Sequence, residues 1–243
     1  MSGMPTRTIA LVDGFDDGHH LTYQRQMVRA WLAQGHRVIA LVPDPARAAG
    51  RGADPGAQLA AYPFRHTSAA SPFWRLRKVW RPLAAWQHAA RAVRAAERES
   101  GWRVDLVFFA WLDDYIVGLA PLCRFIAPVL FRYPWSGLFF HPWHLRAPAG
   151  DAEAHYAVST GMLRTRRCRG VAVLDEGVAA QLEERIRKPV IALPDATDDA
   201  LPPTEPERVR RLDAAARGRK VIGLMGELSR RKGVVAFLRA AAA

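Results

Sequence analysis

The stretch that decides the fold is TIALVDGFDDGHHLTYQRQMVRAWLAQGHRVIALVP, residues 8–43. A compact apolar run (8–12) precedes a loop bracketed by glycines (13–18) and a segment whose apolar residues recur at helical spacing (19–34). A glycine then ends the helix, and a second apolar run follows (37–42). Strand, helix and strand within about 35 residues predict a βαβ unit with parallel strands and a right-handed crossover.

The same alternation continues to the end of the chain. Apolar runs and helical spacing predict a short strand near LAAYPF, helices at 72–101, 116–126, 150–168, 175–186 and 207–217, and strands at 104–110, 128–133, 170–174, 189–193 and 220–226. The sequence therefore predicts the α/β class, with a Rossmann-like doubly wound parallel sheet.

An acidic, proline-rich segment at 194–207 predicts a domain boundary. We expect a first Rossmann-like domain over 1–195, a linker over 196–219, and the first strand-helix unit of a second Rossmann-like domain over 220–243.

Composition predicts a globular protein with a sizeable core, since half of the 243 residues are hydrophobic and 24% are charged. Two cysteines, Cys123 and Cys168, lack metal-ligand spacing and predict a reducing cytoplasm. Charged residues interrupt the most apolar region (106–131), which predicts buried elements instead of a membrane span. The net charge of +12 predicts affinity for anions without choosing between nucleotide phosphates, lipid head groups and polymers.

The last loop of the chain joins a predicted strand to a helix N-terminus. It contains Gly226, Lys232 and Gly233. Backbone N–H groups at a helix start, a mobile lysine charge and bare glycines are what a diphosphate requires, so the loop predicts a diphosphate site. The alternative is an ordinary solvated turn that carries cations.

Four polar residues follow predicted strand ends in the first domain, where parallel sheets form a cleft. His19 and His20 stand at the start of the first helix, and Asp113 and Asp114 follow the strand at 104–110. These are our candidate catalytic residues. The alternatives are a histidine pair on a polar surface and an aspartate that caps the next helix.

Aromatic and hydrogen-bonding residues alternate in the segment 132–146. Trp135, His141 and Trp143 suit stacking on sugar rings and are predicted to line an acceptor cleft, although a packed irregular loop would contain the same residues. The arginine-rich helix near 74–98 predicts a solvated basic face, with docking on anionic lipid as the alternative.

Four segments together resemble the retaining glycosyltransferases of the two-Rossmann (GT-B) type, in particular family 4. They are DDGHHLTY (16–23), GVAVLDEGVAAQL (170–182), KPVIALPDATD (188–198) and VIGLMGELSRRKG (221–233). The resemblance implies that the first domain holds a saccharide, lipid-linked or small-molecule acceptor and the second a nucleotide-diphosphate sugar. It implies transfer with retention of anomeric configuration and no metal or other cofactor.

The resemblance also implies roles for particular residues. Lys232, Gly226, Gly233 and Gly18 match positions that lie near the donor diphosphate, and His19 or His20 faces the acceptor or the phosphates. The family often has an arginine where this chain has Glu227, and the neighbouring arginines, among them Arg231, are candidates to replace it.

The paired glutamates that hold the donor sugar in the family would fall beyond Ala243. The resemblance therefore implies a truncated donor domain, with little or no transferase activity for these 243 residues alone. We expect a cytoplasmic protein with peripheral contact to an anionic membrane as a further possibility, and no nucleic-acid partner. Two other classes stay open: a nucleotide-cofactor (NAD-type) oxidoreductase, and a non-catalytic module that binds anionic polymers or membranes.

Overall fold

The computed structural model describes residues 5–16, 20–49, 58–66, 77–116, 123–140, 142, 161–193, 206–218, 234–235 and 238–239. The chain divides into two compact units, Met1–Thr197 and Asp198–Ala243. The strand predicted at 220–226 lies outside the described residues.

The first unit alternates strands and helices. Its elements are β1 (Thr8–Val12), α1 (His20–Ala33), β2 (Arg37–Val42), α2 (Pro45–Ala49), β3 (Leu59–Pro63), α3 (Arg77–Ser100), β4 (Leu106–Phe109), α4 (Asp113–Ile116), α5 (Cys123–Leu130), β5 (Trp135–Phe139), β6 (Val171–Val173), α6 (Glu176–Ile186) and β7 (Val190–Ala192). In the second unit, the charged helix predicted at 207–217 is α7 (Pro206–Ala216).

Seven parallel strands form one sheet in the order β3-β2-β1-β4-β5-β6-β7. In the register, Ile9 of β1 lies between Val38 of β2 and Leu106 of β4. The chain first adds strands on one side of β1 and then moves to the other side, so the direction of winding reverses between β1 and β4. A doubly wound sheet has its topological switch point there, and the predicted fold class is confirmed.

Both faces of the sheet are buried. Along β1, Ala10 and Val12 belong to one hydrophobic cluster, whereas Leu11 belongs to another on the opposite face. Successive side chains of a strand point to opposite faces, so a strand covered on both sides reads as a continuous apolar run. Tyr23 and Met27 of α1 lie in the second cluster, while α3 and α6 supply apolar residues to the first.

Trp86 of α3 is the centre of the larger cluster. Its side chain is fully buried, and its ring lies 5.1 Å from Phe109, 5.1 Å from Phe131 and 5.2 Å from Trp135, measured between centroids. The indole N–H donates to the carbonyl of Tyr115 at 2.9 Å. A buried tryptophan whose polar atom is satisfied adds a large apolar area without leaving an unpaired donor.

The strand predicted at 128–133 is wrong. Pro128 lies inside α5, and the next strand, β5, begins at Trp135. Ala127 and Phe131 are buried and Phe125 and Val129 are exposed, which is the four-residue spacing of a helix. A proline is tolerated as the first residue of a strand, so Pro128 alone does not decide between strand and helix; the packing of α5 against α3 does.

The helix predicted at 175–186 is confirmed as α6. Asp175 has extended backbone angles, and its carboxylate accepts a hydrogen bond from the N–H of Val178 at 3.1 Å. Val178, Leu182 and Ile186 are buried at helical spacing against the sheet. An aspartate at the N-cap satisfies one of the free N–H groups of the first turn, so this helix start could be predicted from the local sequence.

Candidate functional site

Loops that follow β1, β3 and β4 meet at the carboxyl ends of the strands. The loop after β1 passes so close to the loop after β3 that a Cβ atom on Gly14 would lie 2.4 Å from the backbone nitrogen of His66. The N–H of His66 donates to the carbonyl of Gly14 at 3.3 Å. Only a glycine permits this approach of the two backbones. The loops therefore bring residues from three separate strands together at the switch point, where doubly wound folds bind their ligands.

Asp13 and His20 form the centre of this candidate site. Asp13 follows β1 directly, and its side chain is fully buried, while that of His20 at the start of α1 is 14% exposed. The imidazole Nδ1 lies 3.0 Å from each carboxylate oxygen. Gln24 Nε2 and the N–H of Phe15 also donate to the carboxylate, at 3.0 and 3.2 Å. Three donors thus satisfy a carboxylate that would otherwise be costly to bury.

The carboxylate of Asp13 determines which imidazole nitrogen carries the proton. An ionised carboxylate only accepts hydrogen bonds, so Nδ1 of His20 is the donor, and in a neutral ring the lone pair is on Nε2. A ring nitrogen that is oriented in this way can accept a proton from a hydroxyl group.

Aromatic rings hold the imidazole of His20 in place. The ring lies 4.9 Å from Phe15 and 4.9 Å from Trp111, between centroids. Trp111 stacks in turn on Phe140, which follows β5, at 4.2 Å. The rings restrict the rotamers of the histidine and reduce the access of water, and both effects preorganise a catalytic group.

A second histidine–carboxylate pair adjoins the first. His66 Nε2 lies 3.6 Å from Asp114 Oδ2, and the His66 ring stacks on Phe15 at 5.5 Å. The side chain of Asp114 is 30% exposed, whereas that of His66 is 10% exposed. Phe15 thus contacts both histidines, and the Asp114 carboxylate is the more accessible polar group of this second pair.

The pKa of Tyr115 in α4 reflects the negative charge of the site. Burial, followed by the negative charges of Asp13 and Asp114, raises the pKa of this phenol well above its usual value. The phenol of Tyr115 therefore stays protonated near the carboxylates of Asp13 and Asp114.

Of the two aspartates predicted after β4, Asp113 is 6% exposed, and its Oδ2 accepts the backbone N–H of Phe140 at 2.9 Å. This bond connects α4 to the end of β5, which is a structural role. Asp114 is the aspartate that lies among the site residues.

The prediction that Trp135 lines an acceptor cleft is wrong. Trp135 is the first residue of β5, at the opposite end of the strand from the site, and is 1% exposed. Its ring packs on Trp86 in the core. The error follows from the misplaced strand at 128–133, because a strand ending at 133 would have put Trp135 in the loop after it.

The other predicted site residues lie outside the described residues. They are Gly18, His19, His141, Trp143, Gly226, Arg231, Lys232 and Gly233. Their roles stay predictions.

Sequence reasoning missed Asp13, Phe15, Gln24 and His66. A signal existed for Asp13, since an aspartate directly after a buried strand and seven residues before a histidine matches a strand-to-helix turn. No local pattern marks His66, because it reaches the site only through the pairing of β3 with β2.

Three solved structures are similar to this chain. HepE of Anabaena in complex with UDP-glucose has a TM-score of 0.55 at 15% identity, over 97% of this chain and 57% of that one. A glycosyltransferase from Rickettsia africae has a TM-score of 0.52 at 11% identity, over 98% and 57%. UGT89C1 of Arabidopsis thaliana, complexed with UDP-L-rhamnose, has a TM-score of 0.51 at 10% identity, over 86% and 54%.

At these identities the likeness shows the fold, which is that of the Rossmann-like domains of GT-B glycosyltransferases. The chain spans little more than half the length of these structures. No protein-family model matches the chain, and no curated protein matches it. Among the described helices, none is both long enough and apolar enough to cross a membrane.

Proposed function

We propose that this chain belongs to a glycosyltransferase that moves a sugar from a nucleotide-diphosphate sugar to a hydroxyl group of an acceptor. The observation that carries the proposal is the Asp13–His20 pair at the switch point of a sheet with a GT-B-type fold. HepE was crystallised with UDP-glucose, and UGT89C1 with UDP-L-rhamnose, which supports a nucleotide sugar as the donor class.

In this proposal, His20 is the general base. Its Nε2 takes the proton of the acceptor hydroxyl as the oxygen attacks the anomeric carbon, the bond from that carbon to the diphosphate breaks, and the diphosphate leaves with the electron pair. Asp13 holds the imidazole orientation and stabilises the imidazolium that forms. The diphosphate is bound by Gly226, Arg231, Lys232 and Gly233, together with Gly18, and His141 and Trp143 contact the acceptor.

The stereochemical outcome separates two versions of the proposal. A base that activates the acceptor supports a single displacement, which inverts the anomeric centre, and the described geometry favours this version. Similarity of the final loop to family 4 implies retention instead. The anomeric coupling constant of the product, measured by proton NMR, decides between inversion and retention.

The geometry does not favour an NAD-dependent oxidoreductase. Dinucleotide sites use bare glycine backbone in the first strand-to-helix turn to approach the pyrophosphate. Here that turn carries the Asp13 carboxylate and the Phe15 ring, and Gly14 is in contact with His66.

A panel of nucleotide-diphosphate sugars tests the proposal on a protein that contains this chain and a complete donor domain, with release of the nucleoside diphosphate in the presence of phenolic, saccharide and lipid-linked acceptors as the readout. His20→Gln should lower the transfer rate by roughly 100-fold or more, since it removes the base. The matched control is His88→Gln, because His88 lies on α3 and contacts the carbonyl of Arg65 and the ring of Phe64. Equal activity of the two variants would exclude His20 as the base. Thermal stabilisation by NAD and by none of the nucleotide sugars would favour the oxidoreductase instead.

A further inference from the structure

A large groove lies at the other end of the sheet. It has a volume of about 1190 Å³ and is lined by the C-terminal part of α3 and by the segments that precede β4, β5 and β6. Because all strands are parallel, residues that precede strands gather at the amino edge of the sheet. The groove is therefore separate from the Asp13–His20 site, which follows the carboxyl ends of the strands.

Arginine side chains dominate the lining of this groove. Six of them converge from four segments of the chain: Arg91, Arg94, Arg98, Arg103, Arg132 and Arg167. Arginine is abundant in the whole chain, with 31 arginines and four lysines, so its presence alone is uninformative. Convergence of six cations on one concavity is informative, because like charges repel one another in the absence of an anion.

Among the described residues, most of these guanidinium groups have no acidic partner. In the described part of the chain, no carboxylate pairs with Arg91, Arg94 or Arg103. Within the described part of the chain, Arg98 donates to the carbonyl of its helix neighbour Arg94 at 3.3 Å, and Arg167 donates to the carbonyl of Arg132. Each guanidinium has five N–H donors, so most donors at this surface remain available to a ligand.

The two acidic residues that line the groove are already engaged in structural contacts. Glu97 accepts from the N–H of Val104 at 2.7 Å and from the hydroxyl of Tyr133 at 2.6 Å. Asp105 accepts from the N–H of Thr8 at 2.8 Å. These carboxylates connect the chain segments around the groove, and among the described lining residues their two negative charges offset only part of the charge of the six arginines.

We propose that this groove binds a molecule carrying two or more phosphate groups. The planar fork of arginine matches phosphate oxygens with paired hydrogen bonds, and several forks around one concavity suit several linked phosphates. The same chemistry is offered by a free oligophosphate and by a phosphorylated lipid head group.

The aromatic residues of the groove disfavour single-stranded nucleic acid. Proteins that bind it combine cations with exposed rings on which bases stack. Here the guanidinium of Arg37 covers the ring of Trp102, at 5.6 Å from the centroid, and the hydroxyl of Tyr133 is bonded to Glu97. The groove therefore supplies charge for phosphates without an uncovered stacking surface among its described residues.

Calorimetric titration with sodium tripolyphosphate at low ionic strength tests the proposal. The groove variant Arg94→Gln/Arg103→Gln should weaken binding by roughly 100-fold, since each charged hydrogen bond contributes about 1.5 kcal/mol, which is about tenfold in affinity. The matched control is Arg29→Gln/Arg211→Gln, because both arginines are exposed on other helices and the loss of charge is identical. This control should leave the affinity unchanged.

A second arm identifies the source of the phosphate groups. If the ligand is a lipid head group, sedimentation with phosphatidylcholine vesicles should show binding only when they contain cardiolipin, which carries two phosphate groups. That binding should be lost in the groove variant. Tripolyphosphate binding without vesicle binding indicates a free oligophosphate.

Several outcomes would overturn the proposal. Equal weakening in the groove variant and in the control would mean that net charge alone is measured. Loss of tripolyphosphate binding in Lys232→Ala and not in the groove variant would place the ligand at the predicted donor loop. Failure to bind either probe, or binding of single-stranded RNA alone, would also exclude it.

Discussion

The two ends of the sheet differ in how their charged side chains are paired. At the carboxyl end, Asp13 and Asp114 each lie against a histidine, and the rings of Phe15 and Trp111 surround the site. At the amino end, guanidinium groups line a groove, and among the described residues most of them have no carboxylate within ion-pair distance. A cluster whose polar groups are satisfied within the protein is preorganised for chemistry, whereas a cluster of unpaired like charges is suited to binding a counter-charge.

The largest expected effect comes from Trp86, which connects the two ends. Its N–H donates to Tyr115 near the carboxyl end, and its ring packs on Trp135 at the start of β5. Trp86→Ala should destabilise the fold by about 3–5 kcal/mol, because it leaves a large cavity. Urea denaturation measures the loss, and Trp86→Phe is the milder control. A loss under about 1 kcal/mol would contradict the central position of Trp86 in the core.

Substituting Asp13 and Asp114 in turn should show which of the two histidine–carboxylate pairs supplies the base. In Asp13→Asn, the amide can donate to Nδ1 of His20, which favours the wrong tautomer, so the transfer rate should fall by roughly 100-fold or more. Asp114→Asn should have a smaller effect, because Asp114 is partly exposed and faces His66. Steady-state rates for both variants test the order. A larger effect of Asp114→Asn would transfer the role of base to His66.

Gly14 and Gly35 are required for different reasons: Gly14 because a Cβ atom would clash with His66, and Gly35 because of its backbone conformation. Gly14→Ala would bring Cβ within 2.6 Å of the His66 Cβ, so it should cost about 1–3 kcal/mol and displace His66 from Asp114. Gly35 has a φ of +76° and open space around it, so Gly35→Ala should cost about 1–2 kcal/mol through backbone strain alone. Thermal unfolding measures both costs. Only Gly14→Ala should also change ligand binding at the carboxyl end.

The smallest expected effect is on stability at alkaline pH. Burial and the adjacent carboxylates raise the pKa of Tyr115 above the value of about 10 for a free phenol. The unfolded chain therefore releases this proton first, so the stability due to Tyr115 is fully present below pH about 10 and falls above it by about 1.4 kcal/mol per pH unit. Tyr115→Phe should remove this slope from urea midpoints measured at rising pH.

Tyr133 provides the comparison at the amino end. Burial and the hydrogen bond to Glu97 also raise its pKa, but the side chain is partly exposed, so Tyr133→Phe should change the slope less. A larger change for Tyr133→Phe than for Tyr115→Phe would contradict the buried environment of Tyr115.

Much of the fold could be predicted because its signals are local. The apolar runs of β1 and β2, with α1 between them, read directly as a βαβ unit, and Asp175 marks the start of α6. The end of α5 and the start of β5, near 128–135, could not be predicted in this way. An apolar run that contains a proline is compatible with either a strand or a buried helix until its packing is known.

The sequence by itself determined the α/β class, the parallel order of strand and helix, and the placement of His20 at the start of the first helix. Only the tertiary structure decided that Asp13 orients His20, that His66 joins Asp114, and that six arginines converge on one groove. The reason is physical: strands and helices follow from the spacing of apolar residues along the chain. Hydrogen bonds and charge clusters depend on which strand ends become neighbours when the sheet forms.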